Sequence, residues 1–401
     1  MFDAIVVGAR CAGSPTAMLL ARAGYRVLLL DRTVFPSDTL STHLIHQPGV
    51  AALARWGLLD RLRATGCPPL DNAIYEVADI RIEGLARGVE GQRAAYSPRR
   101  HILDALLAAA AVEAGAELRE HCRVTGLLRD DSGRVVGVEG THRGRRFAEY
   151  AHLVVGADGM RSTVADLAGA RYTARDPRLT CAYYSYWTGV PATFELYEAP
   201  GSWTAAVATH DATLVLTYFP QDRFEEVRAD AERAHLDRVR ATAPTVYERL
   251  AAGERIERLR GTGDQRNFFR HPAGPGWALV GDAAHHKDSI TARGISDAFT
   301  QAEILTRRLV PDLAGDPAAV DASLARYTEE STAALTAGYT STLAVGRLAA
   351  PAEARLTLLR AVQDDPELTS IYFDVVAGAA GTTALYTPAL LRRLAGRARV
   401  A

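Results

Sequence analysis

The chain has 401 residues, 48% hydrophobic and 23% charged, with a formal net charge of −1. That length exceeds what one hydrophobic core usually organises, so two lobes are expected, and the composition argues against disorder. With no net positive charge and no basic run, a nucleic-acid partner is not expected.

Met1-Phe2-Asp3-Ala4 brings no cationic leader before the apolar run Ile5-Val6-Val7, so a cytoplasmic rather than secreted protein is expected. No uncharged apolar stretch reaches the length of a membrane span. The cysteines Cys11, Cys67, Cys122 and Cys181 stand apart without CxxC spacing, which predicts reduced thiols and no metal site. Among the basic residues only Lys287 is a lysine. GC-rich coding accounts for that bias, and any mechanism needing a lysine amine has one candidate.

In chain order, Ile5-Val6-Val7 reads as a strand buried on both faces. Gly8 to Gly13 makes a turn, and Ser14-Pro15 opens a helix that Gly24 ends. Val27 to Leu30 is a second buried strand, finishing at Asp31. Helices are predicted over 48–64 and from Arg100 to Gly115, on the spacing of Val50, Leu53, Trp56 and Leu59 and of Leu103, Leu106, Leu107 and Ala110. Strand pairs over 117–150 turn at Asp131-Ser132-Gly133, and Leu153-Val154-Val155 leads into Gly156-Ala157-Asp158-Gly159. Between about 175 and 270 the texture changes to aromatic-rich strands and one charged helical stretch at 222–240. Trp277 to Val280 restores the first pattern, a helix runs through Arg308, and 316–401 reads as helices. The predicted lobes are therefore discontinuous: 1–70, 98–174 and 272–315 in one, 71–97 and 175–271 in a second, and 316–401 as a helical region.

Three motifs each follow a predicted strand. Gly8-Ala9-Arg10-Cys11-Ala12-Gly13 with Asp31 fits a dinucleotide fingerprint: Gly8 for the tight turn, Gly13 for close helix packing, a helix N-terminus for a pyrophosphate, and an acid for a ribose hydroxyl. Arg10 replaces the middle glycine. It either clamps the pyrophosphate or turns outward. The others are Gly156-Ala157-Asp158-Gly159-Met160-Arg161-Ser162 and Gly281-Asp282-Ala283-Ala284-His285 with Thr291-Ala292-Arg293-Gly294-Ile295. The helix opening near Gly294 presents free amides suited to a developing negative charge.

In this order and spacing the motifs resemble the FAD-dependent monooxygenases of the p-hydroxybenzoate hydroxylase fold and the related geranylgeranyl-reductase-like flavoproteins. The resemblance covers roughly 1–310. It implies an α/β fold: a discontinuous Rossmann-like FAD-binding domain of glutathione-reductase type, an inserted antiparallel β-sheet substrate domain and a C-terminal helical region. It implies FAD held by Gly8, Arg10, Cys11, Ala12, Gly13, Asp31, Arg32, Arg100, Val124, Asp158, Gly281, Asp282, Arg293, Gly294 and Ile295, with Asp158 also handling NAD(P)H. The family's usual proline is Ser289 here, and its first glycine before Arg293 is Ala292.

The function implied is monooxygenation: one atom of O2 enters an aromatic or polyketide-like small molecule through a flavin C4a-hydroperoxide, with NAD(P)H as reductant. That intermediate must be kept dry, and the aromatic sheet could roof such a pocket or be ordinary core. Catalytic candidates are His43, as an imidazole of near-neutral pKa, with Tyr186 and Trp187. A halogenase is disfavoured, since no lysine lies in the N-terminal segment and Trp187-Thr188-Gly189-Val190-Pro191 only echoes that group's motif. A polyprenyl C=C reductase and an FAD protein with a non-redox role remain alternatives. Neither a monomer nor a homodimer is favoured, and the helices after 316 would either cover the pocket or pair two subunits.

Overall fold

The computed structural model describes residues 1–397. Short runs of Val, Ile and Leu too apolar to face water on either side build a parallel sheet, ordered Trp277–Leu279, Arg145–Gly156, Phe2–Val7, Val27–Leu30 and Glu117–Arg119. Its register sets Val6 between Leu29 and Val155. The helices Gly13–Arg22, Arg100–Glu113 and Gly294–Leu309 share one core cluster with this sheet through Met18, Leu103 and Phe299. Because the strands run parallel, their carboxyl ends gather at one edge, where ligands of open α/β sheets bind.

A second, mainly antiparallel sheet is ordered Glu254–Arg255, Thr180–Thr188, Thr213–Pro220, Ser202–Ala208, Phe194–Ala199, Ala73–Val77 and Ile80–Gly84. Strand side chains alternate between faces. Tyr184, Tyr186, Leu216, Tyr218, Trp203 and Leu196 lie on one side, while Tyr197, Val215 and Ala206 pack beneath the helices Ala231–Thr242 and Pro244–Leu250 on the other. Both faces are covered, which accounts for the density of aromatics.

The long helix Pro317–Gly346 starts with Asp316 accepting from the Ala319 amide, and Tyr327 ties it to the first sheet through the Leu279 carbonyl at 2.6 Å. The helices Glu353–Gln363 and Pro366–Ala377 then bury Leu359, Val362, Leu368, Ile371 and Phe373 in the same cluster as the inner face of the second sheet. This part of the C-terminal region is a cover on that sheet.

Two helices expected to be continuous are broken. The stretch 48–64 divides into Gln47–Arg55 and Leu59–Ala64, with Gly57 left-handed at φ 73° between them. The stretch 222–240 divides at Asp230, whose carboxylate caps the helix that follows. Among the described residues no helix is long and apolar enough to cross a membrane.

Candidate functional site

The three motifs meet. A Cβ on Gly8 would lie 2.4 Å from the Ala157 carbonyl oxygen, and one on Gly281 would lie 2.6 Å from the Ala12 Cβ. Only glycine allows these loops to touch, and Gly8 and Gly281 also have positive φ, at 103° and 62°. The helix Gly13–Arg22 carries no side-chain cap, and neither does Gly294–Leu309. Both N-termini therefore present a positive dipole end to an anion; at Gly13–Arg22 the Ser14 amide is bonded to the Arg10 carbonyl and Pro15 has no N–H, which leaves the Gly13 amide there.

Asp31 is buried at the end of its strand. Its Oδ2 accepts from the Ala9 amide at 2.7 Å and its Oδ1 from the amide and hydroxyl of Thr33 at 2.8 and 2.7 Å. A carboxylate has about four acceptor positions, so Oδ2 can still accept one ribose hydroxyl. Asp158 sits against Gly8 and accepts from Ser162 and the Val164 amide, fixing the second motif as a helix cap.

Arg10 is not turned out to solvent. Its guanidinium donates to Asp104 Oδ2 at 2.6 Å and to Ser37 Oγ at 2.8 Å, which ties the first motif to the helix Arg100–Glu113. Arg100 reaches the same fully buried Asp104 at 3.0 Å, and Cys11 contacts it at 3.3 Å. Two arginines share one carboxylate, leaving a net positive charge beside the uncapped helix. Burial pushes the Cys11 thiol pKa far up, so it stays an inert thiol. Val124 is buried in the strand Cys122–Arg129, whereas Arg32 is exposed. Asp282 is exposed, and its charge is felt by Arg100 and Lys287.

Open space of two kinds adjoins these residues. At Gly294 an added Cβ would meet nothing within 4 Å, although the next residue, Ile295, is buried. Beyond it a cavity of about 330 Å³ lies between the inner face of the second sheet, the turn Ser289–Arg293 and the C-terminal helices. Its walls are mostly apolar, with Leu196, Trp203, Val207, Leu216, Leu358 and Val376 among them. Arg293 lines it but is turned toward the cover, donating to the Val375 and Val376 carbonyls at the end of Pro366–Ala377. Across the cavity, Arg355 from the cover pairs with Glu198 and with the Tyr75 hydroxyl, at 2.5 and 2.8 Å.

The catalytic candidates divide. His43 Nε2 meets the Tyr186 hydroxyl, and the Arg99 guanidinium stacks 3.6 Å over the Tyr186 ring. Both residues are fully enclosed, and the cavity is lined instead by the neighbours of His43, Thr42 and Leu44. The near-neutral imidazole expected of His43 is corrected: burial, with Arg100 nearby, lowers its pKa to about 3. Trp187 does not join this group. Strand alternation turns it to the outer face, where it packs with Leu236 and Tyr247.

The fit to FAD is therefore chemical as well as topological: uncapped helix starts, an excess positive charge, a ribose-competent acid and open space at Gly294. Residues 1–340 match the family model described as FAD binding domain. The chain belongs to that family. FAD is its cofactor, and the chain is a flavin-dependent oxidoreductase. It is 28% identical over 352 residues to the digeranylgeranylglycerophospholipid reductase of Methanocella arvoryzae, covering 83% of both chains. It is also 28% identical over 311 residues to the 6-methylpretetramide 4-monooxygenase of Streptomyces rimosus, covering 75% of this chain and 73% of that one. In fold it is similar to the myxobacterial chondrochloren halogenase CndH, with a TM-score of 0.78 at 21% identity over 98% of this chain and 97% of the other.

The aromatic sheet lines the cavity through Phe194, Trp203 and Tyr218, but the ion pair beside it is not legible in the sequence. Glu198 and Arg355 are 157 positions apart, and no local pattern links them. Asp104, buried between two arginines, is the centre of the network and carries no sequence signal of that role.

Proposed function

We propose that this flavoprotein is a monooxygenase that places one oxygen atom of O2 on a compact aromatic or polyketide-like molecule, with NAD(P)H as reductant. The observation that carries the reading is the mostly apolar cavity abutting the turn Ser289–Arg293, directly before the uncapped helix at Gly294. In this reading the N-terminus of Gly13–Arg22 would hold the pyrophosphate, Asp31 the ribose, and Gly294 with Ile295 the flavin ring. Bound FAD supplies the redox chemistry and the activation of O2.

The protein's own residues orient the substrate and exclude water. Leu196, Trp203, Leu216 and Leu358 form an apolar wall, and the cover helices pack against the same face of the sheet. Arg293 holds the cover to the flavin-side turn through the Val375 and Val376 carbonyls. Tyr186 is hydrogen-bonded to a neutral His43, and the pair positions the segment 42–44 rather than acting as a base at neutral pH. Lys287 is buried against Asp297 and does not line the cavity, so a lysine poised beside the substrate, as halogenation would need, is not provided.

A second reading, reduction of C=C bonds, is favoured by the similarity to the Methanocella reductase and by the apolar cavity wall. An anaerobic spectrum of the purified protein with NADPH, followed by air and a candidate aromatic, separates the two. A flavin band that bleaches faster with the aromatic, and O2 uptake matched to hydroxylated product, is expected. Reduced product without O2 uptake would select the reductase, and a flavin that neither NADH nor NADPH bleaches would remove NAD(P)H from the proposal.

A further inference from the structure

The flavin-side end of the cavity carries a chain of hydrogen bonds whose direction is fixed at every link. Tyr218 and Ser289 both line the cavity, and their hydroxyls are 2.9 Å apart. Ser289 uses its amide and its hydroxyl on one atom, Gln265 Oε1, at 3.1 and 2.5 Å. A backbone N–H can only donate, so that Gln265 atom is the carbonyl oxygen, and the Ser289 hydroxyl must donate to it as well. On its other side Gln265 Nε2 donates to Thr180 Oγ1 at 2.8 Å, and Thr180 donates to the buried Asp288 at 2.8 Å. With its own proton committed, Ser289 Oγ can only accept from Tyr218. Burial raises the Tyr218 pKa, so the phenol keeps the proton it donates.

We infer that Tyr218, at the cavity lining, is a specificity-determining residue: its proton is tied to Ser289, so its hydroxyl oxygen can only accept, and it selects substrates that present a hydroxyl or N–H there. The inference rests on the cavity being the substrate site. It also gives a purpose to Ser289, the position at which the chain departs from the proline its resemblance implies, because proline has neither the N–H nor the hydroxyl that sets the direction of the chain. A ligand offering only an acceptor would face oxygen against oxygen in a dry site, leaving both without a proton between them.

The test uses the FAD-loaded protein and two probes of nearly one shape, 2-naphthol and 2-methoxynaphthalene, with Kd measured by calorimetry. Wild type is expected to bind the naphthol about five- to ten-fold more tightly, the worth of one buried hydrogen bond. In Ser289→Ala the Tyr218 proton is released to donate, so the ether gains and the ratio falls toward one. In Tyr218→Phe the ratio falls by loss on the naphthol side. The flavin spectrum and melting temperature of each variant show whether it is folded. Leu358→Trp and Val207→Phe fill the cavity from opposite walls and should abolish binding of both probes. Equal wild-type affinities, with binding lost in the filled variants, would overturn the role of Tyr218 and leave the proposed function standing. No binding, or binding indifferent to both fillings, would overturn the cavity as substrate site and the inference with it.

Discussion

Two glycines separate what the fold needs from what the cofactor needs. At Gly13 an added Cβ would sit 1.7 Å from the Gly8 carbonyl oxygen. Carbon–oxygen contacts settle near ~3.3 Å, so the overlap exceeds an ångström, and it falls on backbone that no rotamer change relieves. The helix Gly13–Arg22 must lift from the first strand, disturbing the core around Met18 and Leu20. Overpacking typically costs about 1–3 kcal/mol, and a clash with backbone belongs at the upper end. Gly294 is the opposite case. It opens a helix, has nothing within 4 Å of its Cβ direction, and alanine there gains up to about 1 kcal/mol of helix propensity. If that space belongs to the flavin, Gly294→Ala should leave the flavin-free protein as stable as wild type or slightly more so. It should still weaken FAD binding ten-fold or more, about 1.4 kcal/mol. Gly13→Ala should lose both stability and FAD. Thermal melts of the stripped proteins and FAD titration by flavin fluorescence read the two effects separately. Wild-type FAD affinity in Gly294→Ala would refute the assignment of that space, and an unshifted melt in Gly13→Ala would refute the close packing of the motif.

Other consequences can be measured in the same way. Ala292 holds φ 51°, where a Cβ costs about 1–2 kcal/mol, so Ala292→Gly should raise stability by up to about 1 kcal/mol in a chemical melt once glycine's own entropy is subtracted. Arg355→Ala removes the guanidinium shared by Glu198 and Tyr75 and leaves them only the bond between them; with the arginine side chain 40% exposed the cost is about 1–2 kcal/mol. Hydrogen exchange should quicken over 353–377 and leave the first sheet unchanged. Burial lowers the pKa values of His43, His46 and His235 to about 3, so between that value and about 6.5 the unfolded chain binds more protons and stability falls with falling pH. Asp288, raised by burial to about 6, and Asp158, also raised by burial, oppose this at lower pH, while His285 and His210, lowered by burial, add to it. The melting temperature should drop progressively from pH 6.5 to 5, and a flat profile would show that these imidazoles are not held neutral.

What the sequence discloses is what local physics determines. Val27 to Leu30 and Leu153 to Val155 are buried strands because runs that apolar have no other place, and Gly8, Gly13 and Gly281 announce turns that only glycine can make so tightly. The breaks at Gly57 and Asp230 were hidden because helical spacing of Leu and Val carries across them. Trp187 lies apart from the cavity for a different reason. Alternation along Thr180–Thr188 separates it from Tyr186, but which face meets the cavity is decided by helices far along the chain. The charge state of His43 was likewise invisible, since it depends on enclosure by Tyr186 and proximity to Arg100.

The two ends of the cavity bear on which chemistry it serves. A site for long polyprenyl chains gains most from an unbroken apolar tunnel, because each buried CH₂ contributes about 0.8 kcal/mol and any polar group met on the way must be stripped of water. Here the apolar walls end in polar groups on both sides: Tyr218 with Ser289 beside the turn Ser289–Arg293, and Tyr75 with Arg355 under the cover. Each of these is already hydrogen-bonded, so each can meet a substrate atom without itself being left unpaired when water leaves. A rigid molecule with polar groups at opposite edges satisfies both ends at once and is held in one orientation against Ser289–Arg293. That arrangement suits regioselective attack on a ring more than saturation of a flexible chain.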